Sequence, residues 1–485
     1  MNGETRLRNH WSYVLSGLVR SLIFGFFFSI SFAFSDAGFD LEVYLFMGCI
    51  FTVGLFALYV LIWLRTWYFF REDEIVVIRS VIVRSESRIQ YDRLASVVVE
   101  RSVVYRIFGA TKLSFNLNSS VNVKRSEAFI VLKEEEAEEL RDSVYARMYG
   151  TSESDEPDGE NHVPSAPDYD SMVSLIDVST ADIFLHSFLG MPTIQFVFGM
   201  VMLAYSVITL MANDPSILAI LIFVVEFFIP AILKFFRYYN YRIVRDGDTV
   251  VISSGLFATR QDTFELSKVN FVKIREPLVC RFLGRAILEA EVVGTADGEG
   301  MPLLCPLKDK GIAVALFESL LPEFQCDAEL KSQSKVSLYA ITLWMSVILL
   351  VSAGLFYLVM FEVPGEYAMF VNGLFVLVAA LTLGWGYLAY KVRRFSMTDT
   401  NALMVTGAFD RLSNYVLIDK VQFADVRTSP VMRRTGTARC AVSMLSTLGQ
   451  TTIVTGVFDV NDLEALPTLV LDRIKDGRYD FRKYQ

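Results

Sequence analysis

The chain has 485 residues, of which 53% are hydrophobic and 20% charged, so it is more apolar than an average soluble protein. Its net charge of −9 argues against a nucleic-acid binder, because such proteins need excess Lys and Arg to displace counterions from phosphates. Five scattered cysteines, three histidines and the absence of nucleotide-binding or nucleophile motifs argue against a disulfide framework, a metal site, a cofactor and an enzyme. A non-catalytic membrane protein is therefore predicted.

Six apolar runs of membrane-spanning length occur as three pairs, at 18–34, 43–64, 192–212, 216–233, 336–361 and 367–390. The loops inside the pairs are acidic, whereas Lys and Arg gather at the opposite ends. The acidic loop residues are Asp36, Asp40, Glu42, Asp214, Glu362 and Glu366. The positive-inside rule then predicts three hairpins in the inner membrane, with both termini and all soluble domains in the cytoplasm.

The three segments that follow the hairpins align without gaps. Their corresponding stretches begin at Tyr91, Leu266 and Ile418, and the same offsets superpose an Arg-x-x-Gly motif. The motif residues are Arg106, Arg281 and Arg433, with Gly109, Gly284 and Gly436. A unit of one membrane hairpin and one soluble domain is therefore repeated three times.

Each soluble domain has a β-strand pattern that changes to a helical one. Short β-branched runs at 75–78, 81–83 and 94–99 predict strands in the first copy. Helical periodicity follows at 134–149, and in the other copies at 308–321 and 461–475. The fold class predicted is an α+β membrane protein, in which each hairpin precedes a curved sheet or small barrel capped by a C-terminal helix.

These patterns set the domain boundaries. The hairpins are 1–65, 172–236 with a juxtamembrane helix, and 331–390; the soluble domains are 66–150, 237–330 and 391–485. Between them, 151–171 is acidic, rich in proline and free of Lys and Arg, which predicts a disordered tether. The alternative is that this linker occupies a basic domain surface and competes with lipid. Ser179 and Asp182 predict the N-terminal cap of the juxtamembrane helix, which should run through Phe188.

The hairpin-plus-domain unit and the Arg-x-x-Gly motif resemble the membrane-anchored bacterial pleckstrin-homology (PH) domain proteins. Three copies on six helices resemble the YdbT-like members over nearly the whole chain. The resemblance implies PH folds, pairing with a smaller single-PH membrane protein, and a link to tolerance of membrane-active compounds. The third copy departs from the pattern, because Thr435 precedes its glycine where the others have Phe108 and Leu283.

The repeated arginines and glycines allow two interpretations. Arg106, Arg281 and Arg433 could bind lipid phosphates, because a guanidinium contacts phosphate through two hydrogen bonds near an anionic leaflet. Alternatively the motif builds a turn, in which the arginine caps carbonyl groups and the glycine adopts positive φ.

Glu226 is unusual because it lies near the middle of the fourth apolar run. An ionised carboxylate there costs roughly 2.5–3.5 kcal/mol. Pro230, four residues later, cannot donate to the Glu226 carbonyl and should loosen the helix. This pair predicts either a proton or cation site, or a protonated Glu bonded across the hairpin to Tyr205 or Ser206.

The leading functional hypothesis is a non-catalytic protein that presents three PH-like domains at the cytoplasmic leaflet. They would contact acidic lipids or assemble with partners, and so support envelope integrity. The alternative is an export or flipping component for membrane-active compounds that uses the helix bundle and Glu226.

Overall fold

The computed structural model describes residues 5–33, 41–81, 83–91, 94–117, 128–148, 173–211, 217–292, 301–361, 365–446 and 449–476. Two compact units divide the chain. Unit 1 comprises Met1–Leu175, Phe236–Glu265 and Gly294–Asp297; unit 2 comprises Ile176–Phe235, Leu266–Val293 and Gly298–Gln485. The boundary at Glu265 divides the predicted middle domain between the two units.

Unit 1 begins with a short strand and the first membrane hairpin. The elements are β1 (Thr5–Leu7), α1 (Ser12–Ala33) and α2 (Leu41–Arg65). A methyl group at Gly25 would overlap Thr52, and one at Gly48 would overlap Ser29. These glycines therefore let the two helices pack closely, as small residues do in membranes.

Two antiparallel sheets complete unit 1. The first has the order β1-β2-β3-β4, with β2 (Thr66–Phe70), β3 (Glu74–Ser80) and β4 (Arg84–Gln90). The second has the order β7-β6-β5-β10-β9-β8, with β5 (Leu94–Arg101), β6 (Ala110–Leu117), β7 (Ala128–Lys133), β8 (Arg242–Asp246), β9 (Thr249–Ser254) and β10 (Thr259–Glu265). The short α3 (Val103–Ile107) follows β5, and α4 (Glu134–Met148) follows β7. Ile75, Phe115 and Leu140 belong to the buried core that the two sheets and α4 share.

Unit 2 begins with the juxtamembrane helix and the second hairpin. The elements are α5 (Thr180–Leu189), α6 (Thr193–Met211), α7 (Ile217–Phe223), a π-helical turn (Val224–Phe228) and α8 (Ile229–Tyr238), which ends inside unit 1. Ser179 caps α5 in a capping box with Asp182, so the predicted cap is confirmed.

The remaining elements of unit 2 form two sheets and the third hairpin. They are β11 (Val269–Glu276), α9 (Leu278–Phe282), β12 (Arg285–Val292), β13 (Leu303–Asp309), α10 (Lys310–Leu320), β14 (Lys331–Ser332), α11 (Lys335–Met360), α12 (Gly365–Val392), β15 (Arg394–Met397), β16 (Asn401–Gly407), β17 (Arg411–Leu417), β18 (Val421–Arg427), α13 (Pro430–Arg434), β19 (Thr437–Ser446), β20 (Gly449–Val454), β21 (Phe458–Asp459) and α14 (Val460–Lys475). One sheet has the order β13-β12-β11-β17-β16-β15-β14, and the other has the order β18-β19-β20 with β21 beside β19.

Neighbouring repeats share their sheets. The first copy's fourth strand, β5, pairs antiparallel with the second copy's third strand, β10. In the same way β11 of the second copy pairs with β17 of the third. The sequence pattern did not predict this sharing, which satisfies backbone groups that a separate domain would leave at an open sheet edge.

The predicted membrane helices and closing helices are confirmed. Six helices of the described residues are long and apolar enough to cross a bilayer, so the chain is an α+β membrane protein. The first begins at Ser12, earlier than its apolar run, because polar residues continue the helix outside the expected span. The closing helices α4, α10 and α14 lie where periodicity placed them. The linker 151–171 and the loop residues Asp36, Asp40, Asp214 and Glu362 lie outside the described residues.

Candidate membrane-surface site

A short helix follows the fourth strand of every repeat: α3, α9 and α13. Ser102 and Ser429 cap α3 and α13, because their side chains accept hydrogen bonds from the backbone N–H groups of Tyr105 and Met432. Pro277 occupies the corresponding position before α9. Each motif arginine therefore stands in the last turn of a short helix that the preceding residues start.

The motif glycines connect these short helices to the closing helices. Gly109, Gly284 and Gly436 have φ values of +58°, +65° and +63°. Their carbonyl groups accept hydrogen bonds from the first backbone N–H groups of the closing helices, at 3.1, 2.9 and 3.0 Å. The donors are Glu134, Lys310 and Val460. The left-handed backbone at each glycine thus turns the chain into the next strand and fixes where the closing helix begins.

Replacing Gly284 with alanine is expected to destabilise the protein by about 1–2 kcal/mol, the cost of a left-handed backbone for an L-residue. The added methyl group would meet no atom within 4 Å, so the penalty is conformational and not steric. Thermal denaturation of the purified full chain measures it. Gly284→Asn is the control, because Asn tolerates this conformation, and equal losses for both variants would contradict the explanation.

The three motif arginines have different surroundings. The Arg106 guanidinium donates to the backbone carbonyl of Leu256, at 2.8 Å, in the turn between β9 and β10. The Arg433 Nε atom donates to the Thr428 hydroxyl at 3.2 Å. Arg281 is partly exposed on α9. Arg106 therefore holds the neighbouring repeat through a carbonyl group, whereas Arg433 bonds within its own repeat and Arg281 lies beside exposed apolar side chains.

Apolar side chains surround these arginines on the surface. Ile107 is 70% exposed, Phe282 is 81% exposed and Val431 is 60% exposed. Phe108 and Leu283, which precede the motif glycines, are also exposed. All three short helices therefore present both positive charge and apolar area, a combination typical of surfaces that meet a bilayer.

Two of the short helices, α3 and α9, contact the beginning of a membrane span. In unit 1 the ring of Trp11, directly before α1, lies 4.6 Å from the ring of Phe108. In unit 2 the backbone N–H of Leu278 donates to the hydroxyl of Thr193, the first residue of α6, at 3.0 Å. Contacts within each unit therefore place α3 and α9 at the membrane–water boundary that aromatic residues favour.

A buried polar side chain docks the start of each hairpin on its soluble domain. Asn9, His186 and Gln333 accept backbone hydrogen bonds from residues of, or next to, a domain's last strand, at 2.8, 3.2 and 3.2 Å. The donors are Val131, Leu307 and Val457. The sequence analysis did not predict these three contacts, although each acceptor precedes an apolar run by three to nine residues.

Charged groups strengthen the docking of α5 in unit 2. The Asp182 carboxylate lies 2.6 Å from the Lys308 ammonium and 3.5 Å from the Arg285 guanidinium. Burial alone would raise the pKa of Asp182, but the hydrogen bonds from Lys308 and Ser179 lower it below its usual value. The carboxylate therefore stays ionised and joins the start of α5 to the β12-β13 edge.

His186 occupies the opposite end of α5. Its pKa is well below the usual value because the ring is buried and because Lys234 and Arg275 lie nearby. Both cations also donate to the carbonyl of Gly190, at 3.3 and 2.9 Å, where α5 ends. The imidazole is therefore neutral, and its Nδ1 atom serves as the hydrogen-bond acceptor.

Glu226 lies in the π-helical turn of the second hairpin, and its side chain is exposed on the protein surface. Pro230 removes the usual donor to the Glu226 carbonyl, and the side-chain amide of Gln195 donates to that carbonyl instead, at 2.8 Å. The proposed partner Ser206 donates to its own helix, at the carbonyl of Met202. The interhelical bond thus uses the backbone of Glu226, and the export or flipping hypothesis stays a prediction.

Comparison with known proteins supports the repeat. The bacterial PH domain profile matches residues 24–148, 188–316 and 345–474, more than half of the chain. The chain is 24% identical over 404 residues to the transmembrane protein YdbT of Bacillus subtilis (strain 168), and the alignment covers 78% of each chain. No solved structure matches the chain.

Proposed function

We propose that this chain, which belongs to the bacterial PH domain family, contacts acidic lipids at the cytoplasmic leaflet of the inner membrane through the short helices of its three domains. Its role is non-catalytic. The observation that carries the proposal is the combination on α9: Arg281 stands beside Phe282 and Leu283, while Thr193 at the start of a membrane span holds the other end of the helix.

The energetics favour contact with lipid over exposure to water. Transfer of an exposed Phe or Leu side chain out of water contributes roughly 1.5–3 kcal/mol. Each Lys or Arg close to an anionic leaflet adds about 1 kcal/mol. Phe282 is 81% exposed and Leu283 is 57% exposed, so their burial in lipid would realise most of this transfer free energy.

A fluorescent probe on α9 tests the contact in the full chain. Phe282→Cys is labelled with an environment-sensitive dye, in a background with Cys49→Ser and Cys326→Ser to remove the accessible native thiols. In nanodiscs that contain phosphatidylglycerol, we expect a blue-shifted and brighter emission than in phosphatidylcholine nanodiscs. Arg281→Gln should reduce that difference, because it removes the charge that distinguishes the two lipids.

Leu471→Cys provides the matched control, since Leu471 is 55% exposed on α14, away from the motif. Its emission should be that of a probe in water in both kinds of nanodisc. The proposal fails if the probe at position 282 is as hydrated as the probe at 471, or if phosphatidylglycerol changes neither its wavelength nor its intensity.

We place this lipid contact within a role in envelope integrity and tolerance of membrane-active compounds, together with a smaller single-PH membrane protein. The family resemblance of the repeat supports this wider role. In the structure, the first and second domains share one sheet and the second and third domains share another.

A further inference from the structure

Two strands, β4 and β18, lie at a sheet edge where the aligned strands of the other repeats do not. Within the described part of the chain, β4 pairs with β3 alone and β18 pairs with β19 alone. Their counterparts have neighbours on both sides: β10 and β17 correspond to β4, and β5 and β11 correspond to β18. Pairing of the third strand of one repeat with the fourth strand of the preceding repeat therefore occurs twice among the described residues. The third strand of the first repeat, β4, and the fourth strand of the third repeat, β18, lack this pairing there.

Both internal pairings have the same register. Thr259 lies opposite Arg101, and Arg411 lies opposite Glu276. Thr259 and Arg411 are the first residues of the third strand in their copies, as Arg84 is in the first copy. Two independent pairings with one register indicate that the third and fourth strands of this repeat are built to meet in one way.

The exposed fractions of aligned residues in β5, β11 and β18 show the effect of a neighbouring strand. Phe271 of β11, which lies in the shared sheet, is 1% exposed, and the aligned Ser96 of β5 is 0% exposed. The aligned residue of β18 is Phe423, which is 56% exposed. Phe271 lies in the same core cluster as Val416 of the third copy, directly opposite it in the shared sheet. Phe423 is thus an exposed apolar residue that no neighbouring strand covers on this side among the described residues.

We propose that β18 of one copy pairs antiparallel with β4 of a second copy of this chain, in the register of the internal pairings. Ser87 then lies opposite Asp425, and Ile89 lies opposite Phe423. This interaction is β-strand addition, in which backbone hydrogen bonds supply affinity and side chains fix the register. It joins the copies head to tail, because each copy contributes a different edge.

A second copy fits this edge in length and charge. β4 has seven residues, the same number as β10 and β17. In the inferred register Arg84 meets Thr428 and Arg88 meets Ala424, so no like charges lie opposite one another. Because β4 and β18 occur on the same chain, every copy carries both halves of the interface.

Disulfide trapping between two tagged copies tests the pairing. One full-length chain carries Ser87→Cys and a first tag, and the other carries Asp425→Cys and a second tag. After mild oxidation in native membranes, we expect a covalent product that contains both tags. Ser87→Cys combined with Ala424→Cys is the control: residue 424 points to the opposite face of the strand, so its yield should be several-fold lower.

A second measurement separates assembly from folding. Phe423→Glu should lower the association of detergent-solubilised copies at least tenfold in mass photometry, while Leu471→Glu leaves it unchanged. Unchanged association of Phe423→Glu, no product with both tags, or equal yields for positions 425 and 424 would each overturn the proposal. A product between the Asp425→Cys chain and a smaller protein, instead of the tagged copy, would also overturn it.

Discussion

Acidification is expected to weaken the docking of the juxtamembrane helix α5, and the substitution His186→Gln is expected to prevent that weakening. Between about pH 7.5 and 5.5, the wild-type helix should lose up to about 1.4 kcal/mol of protection for each pH unit below about 6.5. Hydrogen exchange of the backbone amides in Thr180–Leu189, corrected for the intrinsic pH dependence of exchange, measures this loss.

The sign follows from the lowered pKa of His186, whose largest cause is burial, followed by the nearby charges of Lys234 and Arg275. The undocked helix exposes an imidazole of ordinary pKa, which binds a proton below about pH 6.5. The docked ring stays neutral at that pH, so docking is fully stable above about 6.5 and weakens as the pH falls. A protonated Nδ1 atom also cannot accept the hydrogen bond from Leu307, which the structure shows at 3.2 Å.

The third repeat shows which substitution of His186 preserves the hydrogen bond. Gln333 already accepts the corresponding hydrogen bond from Val457 through its side-chain carbonyl, so His186→Gln preserves the acceptor and removes the titration. His186→Leu leaves the Leu307 N–H group unsatisfied and should cost about 1–3 kcal/mol at every pH. His10→Gln, in unit 1, is the control for a histidine elsewhere. A pH dependence that persists in His186→Gln would contradict the assignment.

The parts of the fold that the sequence predicted are those with strong local signals. Long apolar runs marked the six membrane helices, and a capping box at Ser179 marked the start of α5. Pro230 predicted a weakened turn, because proline in the interior of a helix removes one backbone hydrogen bond. The Arg-x-x-Gly spacing predicted a turn, and its glycines all have positive φ, but the short helices that carry the arginines were not predicted.

The rest depends on contacts between segments that are distant in sequence. Gln195 completes the turn at Glu226, but its apolar surroundings in α6 resemble those of any residue in a span. The motif predicted that Arg106 binds lipid or caps carbonyl groups. Its partner, the carbonyl of Leu256, is known only from the position of the β9–β10 turn in the folded protein. Sharing of sheets has no local signal either, because a strand's residues do not encode which neighbour covers its second edge.

Proline substitutions should separate a shared strand from an open one. In an antiparallel sheet the N–H groups of successive residues point to alternate sides, so a central strand donates from every residue. β17 lies between β16 and β11, and Leu412→Pro and Ser413→Pro should therefore each cost at least about 2 kcal/mol. The aligned substitutions in β4 are Ser85→Pro and Glu86→Pro. Only one of them removes a bond to β3, so only one should be destabilising in separated copies.

Thermal denaturation of dilute, detergent-solubilised full chains measures all four substitutions, with alanine at each position to subtract the loss of the side chain. Two costly prolines in β17 and one in β4 are expected. A tolerated proline at Leu412 or Ser413 would contradict the pairing of β17 with the neighbour that its N–H group faces, β11 or β16. The proline that β4 tolerates is the one whose N–H group faces the open edge. It should abolish association between copies without changing stability, because that edge is where β18 of a second copy would bind.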